Sequence, residues 1–211
     1  RAQVTASVGD TAQSVAHSLD AADNTNRELV QLTMRGFQRY FEATMQLDEA
    51  TGELRSYGAL VNEDYGSVDK FASETGGIAT VFAKKGDDFI RITTSVKNDK
   101  GERQQGTPLG KDDPAYATVS KGEPYTGVTV AGGKPYMGHY LPAKDASGKV
   151  IALLFIGNDI SVFHAMLQKQ VAQTKFFEHG GTYVINPGTS LDKAVFVYHP
   201  TARGKRVLEA Y

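Results

Sequence analysis

The chain has 211 residues, no cysteine and nearly balanced charge, with 23 basic and 24 acidic side chains. This length suits one domain with a sizeable core, or one domain and part of another. The charge balance gives no long-range attraction to nucleic acid, and the lack of cysteine excludes disulfides, thiolate metal sites and a cysteine nucleophile. No apolar run reaches the roughly 18 residues of a membrane span. Because the chain begins at Arg1 rather than Met, we expect an excised or processed piece; if its parent is membrane-anchored, the spanning segments lie outside these residues.

The first predicted element is a long helix from about Val4 to about Leu47, a stretch without proline. Its apolar positions follow a heptad-like spacing: Val4, Val8, Val15, Ala22, Leu29 and Leu32. Polar residues interrupt this seam, so we expect a homodimer of modest affinity through the helix, whose end near Phe37 packs on its own domain. The alternative is a solvated helix that pairs only in crystals.

Short strands and turns follow Leu47. Leu54–Val61 is predicted as a short strand or connection. Ile78–Ala83 and Phe89–Val96 are predicted as a hairpin around the turn Lys85–Asp88. Strict alternation along the second strand places Arg91, Thr93 and Ser95 on one polar face, with Ile90, Ile92, Thr94 and Val96 on the other.

A second strand pair and a closing strand complete the predicted sheet. Asp112–Gly122 is predicted as a short helix, Tyr125–Val130 and Tyr136–Pro142 as paired strands, and Val150–Ile156 as a buried last strand. The fold class is therefore α+β, with a long N-terminal helix and a five-stranded antiparallel sheet that carries helices on one side.

The chain divides into three predicted regions: a dimerisation helix at 1–47, a ligand-binding module at 48–160, and a connector with a partial second module at 161–211. In the last region, Ser161–Glu178 is predicted as a helix. A hairpin between 181 and 200 follows it. About 30 residues cannot enclose a core of their own, so this hairpin is expected to open a second sheet module.

Five segments carry a resemblance to a known family: Ile78–Ala83, Phe89–Val96, Gly110–Tyr116, Gly122–Gly127 and Gly148–Gly157. Their order resembles the Cache superfamily of bacterial sensor domains, in the branch that fuses Cache type 3 and Cache type 2 modules in methyl-accepting chemotaxis receptors. It is also similar to the citrate and C4-dicarboxylate sensor kinases. The resemblance covers about residues 40 to 160. It implies a PAS-like sheet in the periplasmic domain of an inner-membrane receptor, a small carboxylate ligand and a signal that leaves through helices.

A small anion needs a fixed cation and directional donors, and three places in the sequence supply them. They contain nine candidate residues: Arg91, Thr93 and Ser95; Tyr116 and Tyr125; Lys134, Tyr136, His139 and Tyr140. Exposed charge for Arg91 and ordinary packing for the tyrosines are the alternatives. The related kinases often carry an arginine near Tyr136. Its absence here favours a smaller monocarboxylate or an uncharged metabolite.

No cofactor, metal site or catalytic residue is expected. The pairs Asp87–Asp88 and Asp112–Asp113 lack the oxygen spacing of a calcium loop and are interpreted as solvated turns. The main prediction is a non-enzymatic chemoreceptor sensor domain. Three alternatives stay open: the sensor domain of a histidine kinase or nucleotide cyclase, a secreted enzyme that uses His139, and a dimerisation module whose own aromatic residues fill the pocket.

Overall fold

The structure is a computed structural model that describes residues 2–173, 175–176, 180–181, 183–186, 190–199 and 201–210. The chain forms two compact units. One consists of Thr25–Ser161, and the other consists of Arg1–Asn24 together with Val162–Tyr211. Both units combine helices with antiparallel strand pairs.

Helix α1 spans Ala2–Gln38. In the Thr25–Ser161 unit, its buried residues are Val30, Met34 and Phe37, at the i, i+4 and i+7 spacing of one helical face. Two residues of the predicted seam lie on a different face, since Leu29 and Leu32 are 50% and 57% exposed, whereas Val15 of the same seam is buried. In the Thr25–Ser161 unit, the helix therefore has one apolar stripe that is packed and another, at Leu29 and Leu32, that is open.

The prediction that this helix reaches Leu47 is wrong by nine residues. Strand β1 (Gln46–Asp48) pairs with β2 (Glu53–Ser56), and β2 pairs with β3 (Ala59–Leu60). Asp48 fixes the intervening turn, since its Oδ1 accepts the backbone N–H of Ala50 at 2.9 Å. Helix propensity is only a weak preference, so strand pairing and this turn determine the conformation of Gln46–Asp48.

Helix α2 (Gly66–Thr75) precedes the main sheet and contacts α1 through Phe71, whose ring centroid lies 5.3 Å from that of Phe37. The sheet has five strands: β4 (Ile78–Lys85), β5 (Asp88–Thr94), β6 (Tyr125–Ala131), β7 (Lys134–Lys144) and β8 (Val150–Asp159). Their order is β5-β4-β8-β7-β6, and every neighbouring pair is antiparallel. The predicted fold class is confirmed. The closing strand lies at the centre, which explains its continuous apolar sequence.

The two faces of the sheet meet different parts of the chain. On the helix face, Asn158 Nδ2 donates to Thr33 Oγ1 at 3.3 Å, and Arg27 Nη1 donates to the Thr126 carbonyl at 2.7 Å. The loop face is covered by the connection between β5 and β6, which includes the short helix α3 (Tyr116–Val119). The helix predicted over Asp112–Gly122 is thus limited to one turn.

The second unit contains most of helix α4 (Ser161–Gln173). The predicted end of this helix at Glu178 lies outside the described residues, and Lys175–Phe176 before it is a strand. Strands β9 (Lys175–Phe176) and β10 (Gly180–Gly181) pair after it. The predicted hairpin is present as β11 (Val184–Asn186) paired with β12 (Val195–Tyr198), while 182, 187–189 and 200 lie outside the described residues. A final short helix, α5, covers Val207–Ala210.

Candidate ligand site

A β-bulge decides which residues share a face with Arg91. Val81 pairs with Thr93 but Phe82 pairs with Arg91, so Ile92 is the extra residue in β5. Paired residues on neighbouring strands share a face, while successive residues such as Val81 and Phe82 point to opposite faces. Arg91 therefore lies on the loop face with Phe82, and Thr93 lies on the helix face. The prediction that both share one face is wrong, because simple alternation does not survive a bulge.

Arg91 is largely enclosed on the loop face. Its guanidinium carbon lies 5.1 Å from the ring centroid of Phe82, and Nη1 donates to the hydroxyl of Thr107 at 2.5 Å and the carbonyl of Gln104 at 3.3 Å. Its Nε is buried and has no hydrogen-bond partner among the residues that the structure describes. A buried donor without a partner is costly, so this position is suited to an incoming acceptor.

Aromatic side chains surround this cation. The Tyr140 ring lies 4.4 Å from that of Phe155, 6.3 Å from that of Tyr125 and 6.4 Å from that of Phe82, measured between centroids. These residues belong to one buried cluster with Phe89, Ala115, Val119 and Leu153. The cluster forms a low-dielectric wall beside Arg91, where a charge-assisted hydrogen bond is strengthened.

Asp113 supplies a negative charge in the same place. Burial lowers the pKa of the Arg91 guanidinium, whereas Tyr140 and Asp113 act in the opposite direction. Burial also raises the pKa of the Tyr140 hydroxyl, with Asp113 adding to the effect and Arg91 opposing it. Asp113 is held by its Oδ1, which accepts the backbone N–H of Ala115 at 2.8 Å. Asp113 lies in a turn, as predicted, but it is only partly exposed and its charge also acts on Arg91.

A row of glycines crosses the loop face next to the aromatic cluster. Gly127 pairs with Gly138, which pairs with Gly157. A Cβ atom at Gly127 would lie 2.6 Å from the Tyr125 hydroxyl, and one at Gly138 would lie 3.0 Å from Phe155 Cε2. Because these glycines have no side chains, the rings of Tyr125 and Phe155 can lie close to the backbone of the sheet. Their positions determine the shape of the site.

Three of the nine candidate residues meet at this site: Arg91, Tyr125 and Tyr140. Two others are occupied by backbone groups elsewhere. Thr93 Oγ1 donates to the carbonyl of Asp64 at 2.8 Å, and Ser95 Oγ accepts the N–H of Ala79 at 2.9 Å. Tyr116 packs against the edge of the aromatic cluster, but its hydroxyl donates to the carbonyl of Asp87 in the turn between β4 and β5.

Lys134 and Tyr136 lie at the opposite end of β7 from Arg91. Tyr136 shares the loop face with Tyr140 but is four residues away, which is about 13 Å along a strand. Tyr136 pairs with Asp159, whose carboxylate is also 4.0 Å from Lys134 Nζ. Burial raises the pKa of Tyr136, and Asp159 adds to this effect. Both residues are thus separate from the Arg91 site.

His139 lies on the helix face and is only 7% exposed. Its Nδ1 is 2.7 Å from Thr126 Oγ1, and burial lowers the pKa of the imidazole. The neighbouring hydroxyl satisfies the ring without a carboxylate. This arrangement is that of a packed strand histidine.

The profile of the Cache 3/Cache 2 fusion domain matches residues 1–211, which is the whole chain. The chain belongs to the Cache 3/Cache 2 fusion domain family. The resemblance inferred from the strand motifs is therefore confirmed. No curated protein sequence matches this Cache domain.

Solved structures with a similar fold include the periplasmic domain of RsbU from Chlamydia trachomatis, with a TM-score of 0.56 at 13% identity. That alignment covers 97% of this Cache domain and 66% of the RsbU chain. The ligand-binding domain of the Campylobacter jejuni chemoreceptor Tlp3 in complex with L-valine has a TM-score of 0.45 at 11% identity, covering 82% and 66% of the two chains. The Cache domain thus spans just under two thirds of these structures, and the RsbU likeness supports the fold.

Sequence reasoning missed several residues of the Cache domain's loop face. They are Phe82, Thr107 and Gln104, which contact Arg91 from β4 and from the long connection between β5 and β6, and Asp113 of the same connection, whose charge acts on Arg91. No short-range pattern links them, because their proximity depends on how this connection folds over the sheet. The one available signal was the acid just before Pro114 at the start of a predicted helical turn.

Proposed function

We propose that this Cache domain is the extracytoplasmic ligand-binding sensor domain of a transmembrane chemoreceptor, and that it binds a small organic acid at Arg91. The observation that carries the proposal is the buried, unpaired Nε of Arg91 within a wall of aromatic side chains. A carboxylate oxygen would accept this N–H and neutralise the buried cation. Tyr125 and Tyr140 would enclose the rest of the ligand.

The negative charge of Asp113 restricts how many carboxylates the proposed ligand can carry. A second carboxylate on the ligand would meet a like charge in a poorly solvated site, which disfavours dicarboxylates. An acid with one carboxylate and a hydrogen-bond donor or a positive group would complement both Arg91 and Asp113. The expected ligand is therefore a small monocarboxylate of this kind.

We propose that helix α1 transmits the signal of ligand binding away from the site. Its buried stripe packs within the unit that holds the ligand residues, and Arg27 ties it to the edge strand β6. Its open stripe at Leu29 and Leu32 supports a homodimer through the N-terminal helix, since exposed apolar residues at heptad spacing favour helix pairing. Ligand binding would act by favouring one of two helix arrangements.

The inner-membrane context is part of the proposal. Support comes from family membership and from the periplasmic origin of the RsbU neighbour. In the part of the chain that the structure describes, no helix combines the length and hydropathy of a membrane span.

The segment 161–211 is proposed as the connector and the beginning of a second Cache-like module. A kinase or cyclase output remains an alternative to a methyl-accepting one, whereas the Thr126 contact gives no support to catalysis by His139.

A thermal-shift screen tests the ligand proposal. The panel contains short monocarboxylates, dicarboxylates, amino acids and amines, each applied to the native domain, to Arg91→Ala and to Arg55→Ala. Arg55 is an exposed arginine paired with Glu53 and serves as the matched control. A ligand at a hundredfold excess over Kd adds about 2.7 kcal/mol of stability. We expect monocarboxylates to raise the Tm of the native domain and of Arg55→Ala, but not of Arg91→Ala. A shift that survives Arg91→Ala contradicts the proposed anchor.

A further inference from the structure

A separate cavity lies on the helix face, where α1 ends. It encloses about 400 Å³, which is within the range of small-molecule sites. Its floor is apolar: Phe41, Met45 and Leu154 are 8%, 1% and 4% exposed. Leu141 and Ala143 of β7 complete one wall.

The strand lengths explain why this space is open. Strand β6 begins at Tyr125, which pairs with Tyr140, so β7 extends beyond its partner. Helix α1 stops at Gln38, and the next segment approaches β7 through a single bridge between Thr44 and Lys144. At this end of β7, therefore, β6 no longer pairs with the strand and α1 no longer covers it.

One cation at the rim remains available. Arg39 is exposed and forms no ion pair with any residue in the described ranges. Glu42 is engaged, since its carboxylate accepts the N–H of Tyr57 at 2.5 Å. The ammonium of Lys144 lies near Gly122, 3.3 Å from where a Cβ would stand there. An apolar floor below one free guanidinium suits a molecule with a hydrocarbon body and an anionic head.

We propose that this cavity is a second binding site, and that it takes a medium-chain free carboxylate. The hydrocarbon chain lies against Met45 and Leu154, and the carboxylate meets Arg39 at the rim. The Arg91 site does not contribute to it. Because the segment after Gln38 joins α1 to the rest of its unit, an occupant would hold the end of that helix.

Methionine methyl NMR on the native domain tests this proposal with octanoate as the probe. Met45 reports on the cavity floor, and Met137, buried on the same sheet face but distant along β7, is the internal reference. We expect octanoate to shift the Met45 methyl signal and to leave Met137 unchanged. Each added CH2 should tighten binding about fourfold, so octanoate should bind about 15-fold more tightly than hexanoate. An unmoved Met45 signal, or equal affinity for the two acids, overturns the proposal.

Four variants separate the contributions of the cavity, of Arg39 and of the Arg91 site. Ala143→Phe should fill the cavity and abolish the octanoate shift. Arg39→Gln should weaken octanoate about two- to fivefold, as expected for an exposed ion pair, and leave octanol binding unchanged. Arg35→Gln, one turn earlier on the exposed surface of α1, is the matched control and should change neither. Arg91→Ala should also leave octanoate binding intact, so failure of the Arg91 site is distinguishable from failure of this one. Equal effects of Arg39→Gln and Arg35→Gln contradict a specific role for Arg39.

Discussion

An arginine lies on the helix face of the five-stranded sheet and another on the loop face, and the two differ in how their N–H donors are hydrogen-bonded. On the helix face, Arg27 donates to the Thr126 carbonyl, and Thr126 also meets His139. On the loop face, Arg91 retains a buried Nε without a described partner. Satisfied polar groups stabilise one structure, while a buried unsatisfied donor calls for an explanation, for which we propose a ligand. The comparison separates a residue that holds α1 in place from a residue proposed to bind a ligand.

The largest expected effect concerns packing on the helix face. Phe37→Ala should lower the free energy of unfolding by about 3 to 5 kcal/mol, because this fully buried ring contacts Phe41 and Phe71. Leu29→Ala, on the open stripe of the same helix, should change it by less than about 0.5 kcal/mol in the monomer. Urea denaturation measures both. Similar losses for the two variants would mean that the faces of α1 are assigned incorrectly.

The next prediction compares the two arginines directly. Arg27→Met should destabilise the domain by about 1 to 3 kcal/mol, since the Thr126 carbonyl loses its charged donor. Arg91→Met should change stability by less than about 1 kcal/mol, because it replaces a largely buried cation with an apolar chain of similar length and the Gln104 carbonyl keeps the Thr107 hydroxyl as a donor at 2.8 Å. It should nevertheless abolish the carboxylate response. Urea denaturation and ligand titration on the same two proteins provide the measurements, and the reverse pattern would exchange the roles given to the two faces.

Much of the fold was predictable because its signals are local. Turn residues separate the strands, and the apolar run after Gly148 predicted a buried strand, which the structure places at the sheet centre. The end of α1 was not predictable in this way. Gln46–Asp48 leaves the helical pattern because it pairs with Glu53–Arg55, and such pairing overrides weak local preferences.

The candidate site was only partly predictable for a related reason. Arg91, Tyr125 and Tyr140 could be named as candidates from residue type and strand position, but their common face depends on strand pairing that alternation within one strand does not give. The bulge at Ile92 places Thr93 on the helix face, and no residue in the sequence of β5 predicts this bulge. Asp113 acts on Arg91 electrostatically only because a long connection folds over the sheet, and this connection contributes no periodic signal.

A smaller effect is expected at the glycine row of the loop face. Gly138→Ala would place a Cβ 3.0 Å from Phe155 Cε2 and 3.2 Å from Thr129 Cγ2, so the Phe155 ring must shift. We expect a loss of about 1 kcal/mol of stability and a weaker carboxylate response. Gly36→Ala is the matched control, since nothing lies within 4 Å of its added Cβ, and it should stabilise α1 by up to about 1 kcal/mol. Denaturation and ligand titration of both variants check this, and an unchanged ligand response in Gly138→Ala would remove the glycine row from the site.

The smallest effect is a difference in pH response between the two faces. Burial lowers the pKa of His139, so the unfolded chain binds this proton more readily than the folded domain does. The contribution of the neutral imidazole is therefore fully present above the unfolded pKa of about 6.5, and is lost as the pH falls below that value towards the folded pKa. Arg91 and Tyr140 on the loop face do not titrate in this range, since the ordinary pKa values of a guanidinium and a phenol lie far above it, and burial raises the pKa of Tyr140 further.

Urea denaturation at pH 7.5 and pH 5.5 measures this difference. The native domain should be less stable at the lower pH, and His139→Asn should reduce the dependence without removing all of it, because burial also lowers the pKa of His164 in the other unit. His164→Asn is the matched comparison. Acid should thus weaken the packing around His139 on the helix face before it alters the charge of Arg91 at the proposed ligand site on the loop face. A steeper loss of stability in His139→Asn than in the native domain would contradict the sign of this coupling.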